Sequence, residues 1–316
     1  MRGAMWGRSL AIFLVNIGAT ASDRRFASVF VTAPDGLTLH VRRYGSRVAS
    51  ALPVVCLPGL ARTAADFHSL AVVLAADPAQ PRWVVAPDYR GHGQSEYDRN
   101  PDNYTLPVAL ADLSAVLTAL ETAPALFVGT SYGGLLVMML AAWRPTAIAG
   151  VILNDIGPVT EPQGWVRIKG YVGKLPVPRN FEEGAEILRW WFDAQFPKLA
   201  AQDWMAFAQG TWRQHGRRLV PDYDPKLART LQRADLQHLP TLWSHLGALA
   251  RVPLMVIRGA RSDMLASSTL QAMLSRRDEL EVVVVPDQGH PPFLTEPSLI
   301  RRIREFVASC DVSARL

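Results

Sequence analysis

The sequence predicts an α/β protein with a doubly wound, mostly parallel sheet that is interrupted by a helical insertion. Two observations predict this architecture. Short apolar runs alternate with segments of helical periodicity in both the first and the last part of the chain, as buried parallel strands and their crossover helices do. Residues 158–246 break that alternation and carry helical segments, several prolines and most of the tryptophans. We therefore predict one core, residues 25–157 and 247–316, with a helical cap at residues 158–246.

The predicted elements begin with an antiparallel edge. Residues 26–32 and 37–44 alternate apolar and polar side chains on either side of the sequence APDG, which predicts a β-hairpin whose turn has positive φ. The buried strands predicted after it are residues 54–57, 83–86, 125–128, 151–154, 253–257 and 281–285. The core helices predicted between them are residues 66–76, 106–120, 132–142, 268–274 and 297–308.

The composition is that of an ordinary globular protein, since 49% of the residues are hydrophobic and 19% are charged. The net charge is +5, but the basic residues are spread along the chain without a run of like charges, so nucleic-acid binding is not predicted. Cys56 and Cys310 lie far apart, and Cys56 falls in a predicted interior strand. We therefore expect no disulfide framework, which is typical of a reducing compartment.

Residues 1–24 allow two interpretations. Arg2 and Arg8 precede an apolar run at residues 10–15, and the sequence ATA ending at Ala21 has the small-x-small form of a signal-peptidase site. Cleavage near Ala21 would give a secreted or periplasmic protein. A start codon assigned too far upstream would give a cytoplasmic one. In either case no stable membrane span is predicted in the mature chain, because no other apolar stretch approaches the roughly 18–20 residues required.

The sequence GTSYG at residues 129–133 matches G-x-S-x-G and places Ser131 between a predicted strand and a predicted helix. A turn that tight needs small neighbours, and it lifts the serine hydroxyl above the edge of the sheet. A turn in which Ser131 only caps the helix is the alternative. The placement favours a nucleophile.

A serine hydroxyl is a weak nucleophile at neutral pH, so it needs a base and a third group that holds the base in one tautomer. His290 follows the predicted strand 281–285, at the sheet edge where ligands bind in open α/β folds. Asp263 follows the predicted strand 253–257. We therefore predict Ser131 as nucleophile, His290 as general base and Asp263 as orienting acid. The other histidines lack such placement, and His92 is predicted to organise a loop.

The negative charge of a tetrahedral intermediate requires fixed hydrogen-bond donors. The backbone N–H of Tyr132, directly after the nucleophile, is one predicted donor. The other is the N–H of Leu60, which lies just beyond the predicted strand 54–57. Together they would form an oxyanion hole.

On these residues the sequence resembles the α/β-hydrolase superfamily, and within it the capped members related to lactonases, esterases and carbon–carbon bond hydrolases. The resemblance spans about residues 26–309. The motifs that carry it, in the family's order, are LPGL at 57–60, PDYRGHGQS at 87–95, GTSYG at 129–133, GARSD at 259–263 and GH at 289–290. It implies an enzyme with a Ser-His-Asp triad.

Two positions depart from the family or leave a choice. Many members have His-Gly before the oxyanion residue where this chain has Pro58-Gly59, which puts the hydrogen bonds of that loop in doubt. Some relatives carry the acid after an earlier strand, and Asp155 follows the predicted strand 151–154 here. Asp263 is the favoured assignment and Asp155 its rival.

The resemblance implies hydrolysis of a small, fairly apolar carboxylic ester or lactone through an acyl-enzyme. Carbon–carbon bond hydrolysis, acyl transfer and cofactor-free perhydrolysis would use the same triad, and a ligand-binding receptor would use the same pocket without turnover. Relatives that cleave carbon–halogen bonds or epoxides carry an aspartate at the elbow, so Ser131 argues against both reactions. With no phosphate-binding glycine motif and no zinc-ligand spacing in the sequence, neither a cofactor nor a metal is predicted. The oligomeric state is not predicted.

The tryptophans of the insertion either line an apolar substrate pocket or pack the cap onto the core. For any one of them, packing is the favoured interpretation. The six are Trp165, Trp190, Trp191, Trp204, Trp212 and Trp243.

Overall fold

The computed structural model describes residues 12–14, 25–48 and 50–313. Its strands are β1 (Ile12–Leu14), β2 (Ala27–Thr32), β3 (Thr38–Tyr44), β4 (Val54–Leu57), β5 (Val84–Pro87), β6 (Ala125–Thr130), β7 (Ile148–Asn154), β8 (Trp212–His215), β9 (Arg218–Pro221), β10 (Leu254–Gly259) and β11 (Glu281–Val285). Its α-helices are α1 (His68–Ala75), α2 (Leu106–Ala119), α3 (Tyr132–Trp143), α4 (Pro162–Tyr171), α5 (Phe181–Phe192), α6 (Ala201–Thr211), α7 (Leu227–Gln232), α8 (Trp243–Gly247), α9 (Ser267–Leu274) and α10 (Pro297–Ser313).

One sheet organises the core, in the order β1-β2-β3-β5-β4-β6-β7-β10-β11. The pairs β1–β2, β2–β3 and β3–β5 are antiparallel, and the other strand pairs of this sheet are parallel. The β2–β3 hairpin turns at Gly36, whose φ of 94° favours glycine. The doubly wound, mostly parallel sheet and its antiparallel edge are therefore confirmed.

The central strands are buried on both faces, which explains their continuous apolar runs. In β6, for example, Phe127 packs into a cluster with helices α2 and α3, whereas the next residue, Val128, packs into a cluster with α1 and α10. Alternate side chains of one strand thus contact opposite layers of helices. The carboxyl ends of β4, β6, β7 and β10 consequently meet at one edge of the sheet.

The segment between β7 and β10 contains helices α4 to α8, as predicted, and also a hairpin of β8 and β9 that was not predicted. Much of the segment packs around a cluster of its own, which includes Leu188, Phe192, Trp204 and Trp212. The division at residues 158–246 stays a prediction, and we refer to this segment as the cap.

Of residues 1–24, the structure describes only β1, which pairs antiparallel with β2. The two interpretations of this segment therefore lie outside the described residues. Within the described ranges, no helix is both long enough and apolar enough to cross a membrane. Cys56 and Cys310 are both buried free thiols.

Candidate active site

Ser131 lies at a sharp turn between the last residue of β6 and the first residue of α3. Its φ of 51° and ψ of −112° lie in a region that residues other than glycine rarely adopt. The neighbouring helix and strands approach so closely that a Cβ at Gly133 would overlap the Leu57 carbonyl oxygen, and one at Gly129 would overlap the backbone of Gly134. The predicted strand–turn–helix elbow and its need for small residues are therefore present.

Asn154, the last residue of β7, fixes the elbow from the neighbouring strand. Its carbonyl oxygen accepts a hydrogen bond from Ser131 N at 3.0 Å. Its side-chain Nδ2 donates to Thr130 Oγ1 at 3.2 Å and to the Pro292 carbonyl oxygen at 3.0 Å. One buried side chain thereby ties the serine turn to the loop that carries His290.

His290 bridges the serine and an aspartate. Its Nε2 lies 2.8 Å from Ser131 Oγ, and its Nδ1 lies 2.7 Å from Asp155 Oδ2. A carboxylate can only accept, so Nδ1 carries the proton and Nε2 of the neutral ring is free to accept the serine proton. The three residues are 8%, 4% and 0% exposed, so this hydrogen-bonded chain is shielded from water.

The expectation that Asp263 orients His290 is wrong, and the rival residue Asp155 occupies that place. Asp155 directly follows β7, and its left-handed φ of 57° turns the carboxylate towards the ring. Asp263 lies four residues beyond the end of β10, where it turns towards the cap. There it accepts Arg167 Nε at 2.6 Å and Nη2 at 2.8 Å. The chain order Ser, Asp, His is unchanged.

The loop after β10 nevertheless contributes to the site. Gly259 N donates to Asp155 Oδ1 at 2.8 Å, and Ser262 Oγ donates to Oδ2 at 2.6 Å. With His290 Nδ1, these give a fully buried carboxylate three donors, which meets its need for hydrogen bonds. Ser262 was not predicted in this role, although it lies within the GARSD motif.

The two residues predicted for the oxyanion hole lie on either side of the serine turn. Tyr132 N is at the first turn of α3, and Gly59, which precedes Leu60, lies so close that a Cβ there would be 3.8 Å from Ser131 Cβ. Among the described residues, neither the Leu60 nor the Tyr132 N–H donates a hydrogen bond. Their role stays a prediction.

The loop at Pro58-Gly59 is held without the histidine that many relatives have. Tyr89 Oη donates to the Pro58 carbonyl oxygen at 2.9 Å, and Arg62 N donates to the Gly59 carbonyl oxygen at 3.2 Å. The Tyr89 ring also contacts the Tyr132 ring, with centroids 5.4 Å apart. Tyr89 was not predicted as a site residue, although it lies within the PDYRGHGQS motif.

The remainder of that motif stabilises loops. His92 Nδ1 donates to the Arg90 carbonyl oxygen at 2.9 Å, which agrees with its predicted role as a loop organiser. Burial lowers the pKa of His92, so the ring is neutral near pH 7. Burial also acts to raise the pKa of Asp88, but hydrogen bonds from His40 and from two backbone amides hold it below its ordinary value.

Two phenylalanines of the cap contact the loop that carries His290. Phe293, three residues after the histidine, has its ring centroid 5.1 Å from that of Phe196 and 5.2 Å from that of Phe207. The cap tryptophans are arranged differently. Trp204 and Trp212 are buried inside the cap, and Trp190 is 79% exposed. Trp204 and Trp212 therefore pack the interior of the cap, and Trp190 faces solvent.

No group of three or more His, Cys, Asp or Glu side chains in the described ranges is arranged to hold a metal ion.

A serine elbow at the carboxyl edge of a mostly parallel sheet, with a histidine and an acid on later loops, is the arrangement of the α/β hydrolases. The model of the alpha/beta hydrolase family matches residues 54–302, and the chain belongs to that family.

Similar proteins include both characterised enzymes and solved structures. A 3-hydroxybutyrate-oligomer hydrolase from Cupriavidus necator is 31% identical over 302 residues, covering 90% of this chain and 98% of that protein. The crystal structure of an alpha/beta hydrolase from Novosphingobium aromaticivorans has a TM-score of 0.83 at 36% identity, covering 90% of this chain and 98% of that one. A 2-(acetamidomethylene)succinate hydrolase from Mesorhizobium japonicum is 23% identical, covering 86% of this chain and 92% of the relative.

Proposed function

We propose that this protein hydrolyses carboxylic esters through an acyl-enzyme formed on Ser131. The observation that carries the proposal is the continuous hydrogen-bonded chain from Ser131 Oγ through His290 to Asp155, with distances of 2.8 and 2.7 Å. Serine, imidazole and carboxylate in that order are the components of nucleophilic acyl transfer. A ligand-binding receptor would not require the three groups to be aligned in this way.

In acylation, Ser131 Oγ attacks the ester carbonyl carbon while His290 Nε2 takes the hydroxyl proton. The imidazolium that forms carries a positive charge, which Asp155 stabilises through Nδ1–H. The tetrahedral intermediate collapses as the C–O bond to the leaving group breaks. His290 then gives its proton to the departing alkoxide, and the alcohol leaves.

The oxyanion of that intermediate would be bound by the N–H groups of Leu60 and Tyr132. Tyr132 N lies at the positive end of helix α3, which favours a developing negative charge. Losing one such donor typically costs about 3–4 kcal/mol of transition-state stabilisation. The Tyr89 and Arg62 hydrogen bonds to the loop before Leu60 hold one donor in place before substrate arrives.

In deacylation, a water molecule attacks the acyl carbon, and His290 again takes the proton that is released. The bond from the acyl carbon to Ser131 Oγ breaks, and the serine recovers its hydrogen from His290. The carboxylic acid product leaves. The overall balance is one ester and one water converted into one acid and one alcohol.

One relative, which matches 90% of this chain, is a 3-hydroxybutyrate-oligomer hydrolase, and ester bonds join the short hydroxy acids of such oligomers. We therefore propose short esters of hydroxy acids as the substrates. The phenylalanines around Phe293 would supply apolar contact for short alkyl groups.

Two measurements test the esterase activity. We expect the wild-type protein to hydrolyse p-nitrophenyl acetate and butyrate and the Ser131→Ala variant to lose this activity almost completely. A fluorophosphonate probe should label the wild type, with the adduct mapped by mass spectrometry to Ser131. Equal rates for the two proteins, or labelling at another residue, would contradict the proposal.

A further inference from the structure

Arg167 is a cap residue that reaches the edge of the candidate active site. Helix α4 begins against the loop after β10, since Glu161 N donates to the Met264 carbonyl oxygen at 3.0 Å. Two turns later, Arg167 forms its two hydrogen bonds with Asp263. The residue before Asp263 is Ser262, which donates to Asp155. Arg167 is therefore separated from the buried acid of the triad by one aspartate and one serine.

The bond to Asp263 leaves part of the Arg167 guanidinium available. Asp263 accepts from Nε and Nη2, which are one edge of the group, so the two hydrogens of Nη1 take no part in that interaction. The Arg167 side chain is 17% exposed, so it is not sealed in the core. An arginine with one edge held by a carboxylate can bind an oxygen ligand through its other edge.

Tyr171 supplies a second donor beside Arg167. The two residues are four apart on α4 and so project from the same face of the helix. Burial raises the pKa of the Tyr171 hydroxyl above its ordinary value, although the charges of Arg167 and Arg62 and a hydrogen bond from Arg167 act in the opposite direction. The hydroxyl therefore keeps its proton near neutral pH and is available as a donor.

A second arginine, Arg62, lies close enough to Tyr171 for their charges to interact. A Cβ at Gly59 would be 3.7 Å from Arg62 Cγ and 3.8 Å from Ser131 Cβ, so both side chains border Gly59. Arg62 donates through all three of its nitrogens, to Asp66 and to Thr211. It adds positive charge near Tyr171 but has fewer donors to offer than Arg167.

We propose that Arg167, through Nη1, and the Tyr171 hydroxyl bind a carboxylate group of the substrate, so that the enzyme prefers esters that carry a free acid. The inference rests on the proposed function, in which Ser131 attacks the ester of a hydroxy acid. It assigns Asp263 the role of holding Arg167 in place while partly neutralising it. Asp263 and the substrate carboxylate would then share one guanidinium.

This arrangement predicts opposite effects for the two partners of the ion pair. Removing Arg167 takes away the donor, so selectivity for the acid should fall. Removing the charge of Asp263 takes away a competing anion, so selectivity for the acid should rise. A purely structural link between cap and core would instead make both substitutions act in the same direction, because either one breaks the same bond.

The test measures binding in a protein that cannot turn over its ligand. The probes are the linear dimer of 3-hydroxybutyric acid with its free carboxylate and the same dimer with a terminal N-methylamide. Calorimetry on Ser131→Ala should give tighter binding of the acid by about tenfold, as a charge-assisted hydrogen bond would. Adding Arg167→Gln should abolish that preference, and adding Asp263→Asn should increase it severalfold.

The controls separate this inference from folding defects and from the proposed function. Arg179→Gln removes a highly exposed ion pair with Glu183 on the same cap and should leave the acid-to-amide ratio unchanged. Thermal unfolding should give a cooperative transition for every variant used. Equal binding of acid and amide to Ser131→Ala, or a loss of the preference with Asp263→Asn, would overturn the inference. Absence of fluorophosphonate labelling at Ser131 in the wild type would instead overturn the proposed function.

Discussion

The loops after β7 and β10 invite comparison because they follow neighbouring parallel strands and each presents an aspartate at the same edge of the sheet. Asp155 in the first loop is fully buried and contacts His290. Asp263 in the second loop is 21% exposed in its side chain and contacts Arg167. Although the two aspartates follow neighbouring strands, Asp155 faces the core and Asp263 faces the cap.

The difference lies in the backbone and in the donors that it brings to each carboxylate. Asp155 is the first residue after its strand and has a left-handed backbone conformation, whereas Asp263 is separated from its strand by a turn of three residues. Two groups of the second loop, Gly259 N and Ser262 Oγ, donate to the acid of the first. One loop supplies the acid, and the other supplies two of its three hydrogen-bond donors.

The largest expected effect comes from exchanging the two acids for amides. Asp155→Asn keeps the shape but cannot hold the Nδ1–H tautomer or stabilise the imidazolium, so kcat for p-nitrophenyl butyrate should fall by about 10⁴-fold. Asp263→Asn should lower kcat by less than tenfold. Steady-state kinetics of both variants make the measurement. The reverse order of effects would restore Asp263 as the orienting acid.

Gly259 tests how closely the second loop must approach the histidine. A Cβ there would overlap the carbonyl oxygens of Gln288 and Gly289, in the loop just before His290. Gly259→Ala should therefore lower the free energy of unfolding by about 3 kcal/mol, since the overlap is with backbone and cannot be relieved by a side-chain rotation. Urea denaturation measures the change. Gly170→Ala is the matched control, because nothing lies within 4 Å of a Cβ there.

A third aspartate, Asp222 of the cap, is partly buried without well-aligned donors. Arg213 Nε lies 3.2 Å from Oδ1 but makes no hydrogen bond. Burial, reinforced by the charge of Asp88 and opposed by nearby arginines, raises the pKa of Asp222 from 3.8 to about 6. The folded protein therefore binds this proton more tightly than the unfolded chain, and the ionised carboxylate lowers stability above pH 6.

Asp222→Asn should consequently stabilise the protein by about 2 kcal/mol at pH 8. The gain should shrink as the pH falls below 6 and vanish only at about pH 3, below both pKa values, where the aspartate is protonated in both states. Denaturant unfolding of both proteins across this range gives the difference. A gain that is independent of pH would show that ionisation of Asp222 is not its cause.

The smallest expected effect belongs to Ser262, which couples the two loops. Ser262→Ala removes one of three donors to Asp155 while leaving His290 Nδ1 and Gly259 N in place, so kcat should fall by about tenfold. Ser262→Thr retains the hydroxyl and should recover part of the loss. A rate for the alanine variant equal to that of the wild type would mean that the second loop does not support the acid.

Most of the core could be predicted from the sequence because strand burial and helix periodicity are local properties. The central strands read as apolar runs, and the serine elbow requires small residues that the sequence displays directly. The β8–β9 hairpin was missed because its alternation spans only four residues a strand, between segments of helical character. Its turn at Gly216, with a φ of 60°, is a weak local signal.

The choice of acid could not be made from local pattern. Asp155 and Asp263 both follow apolar strands, and the deciding features are a left-handed φ at residue 155 and an arginine on a distant helix. A side chain's direction in a loop depends on partners more than 90 residues away, as with Arg167 and Asp263. For the same reason, the role of the cap residue Gln195 could not be predicted. Its Oε1 accepts a hydrogen bond from His290 N at 2.9 Å, across 95 residues of sequence.

The backbone geometry of Ser131, which the proposed reaction requires, lowers the thermodynamic stability of the folded protein. A φ of 51° with a ψ of −112° costs an L-residue roughly 1–3 kcal/mol, and only glycine would adopt it without penalty. The proposed nucleophile therefore lowers the stability of the native state, and the packing of β6 and α3 holds it in this conformation. Replacing it with glycine would yield a protein that is inert towards esters and harder to unfold.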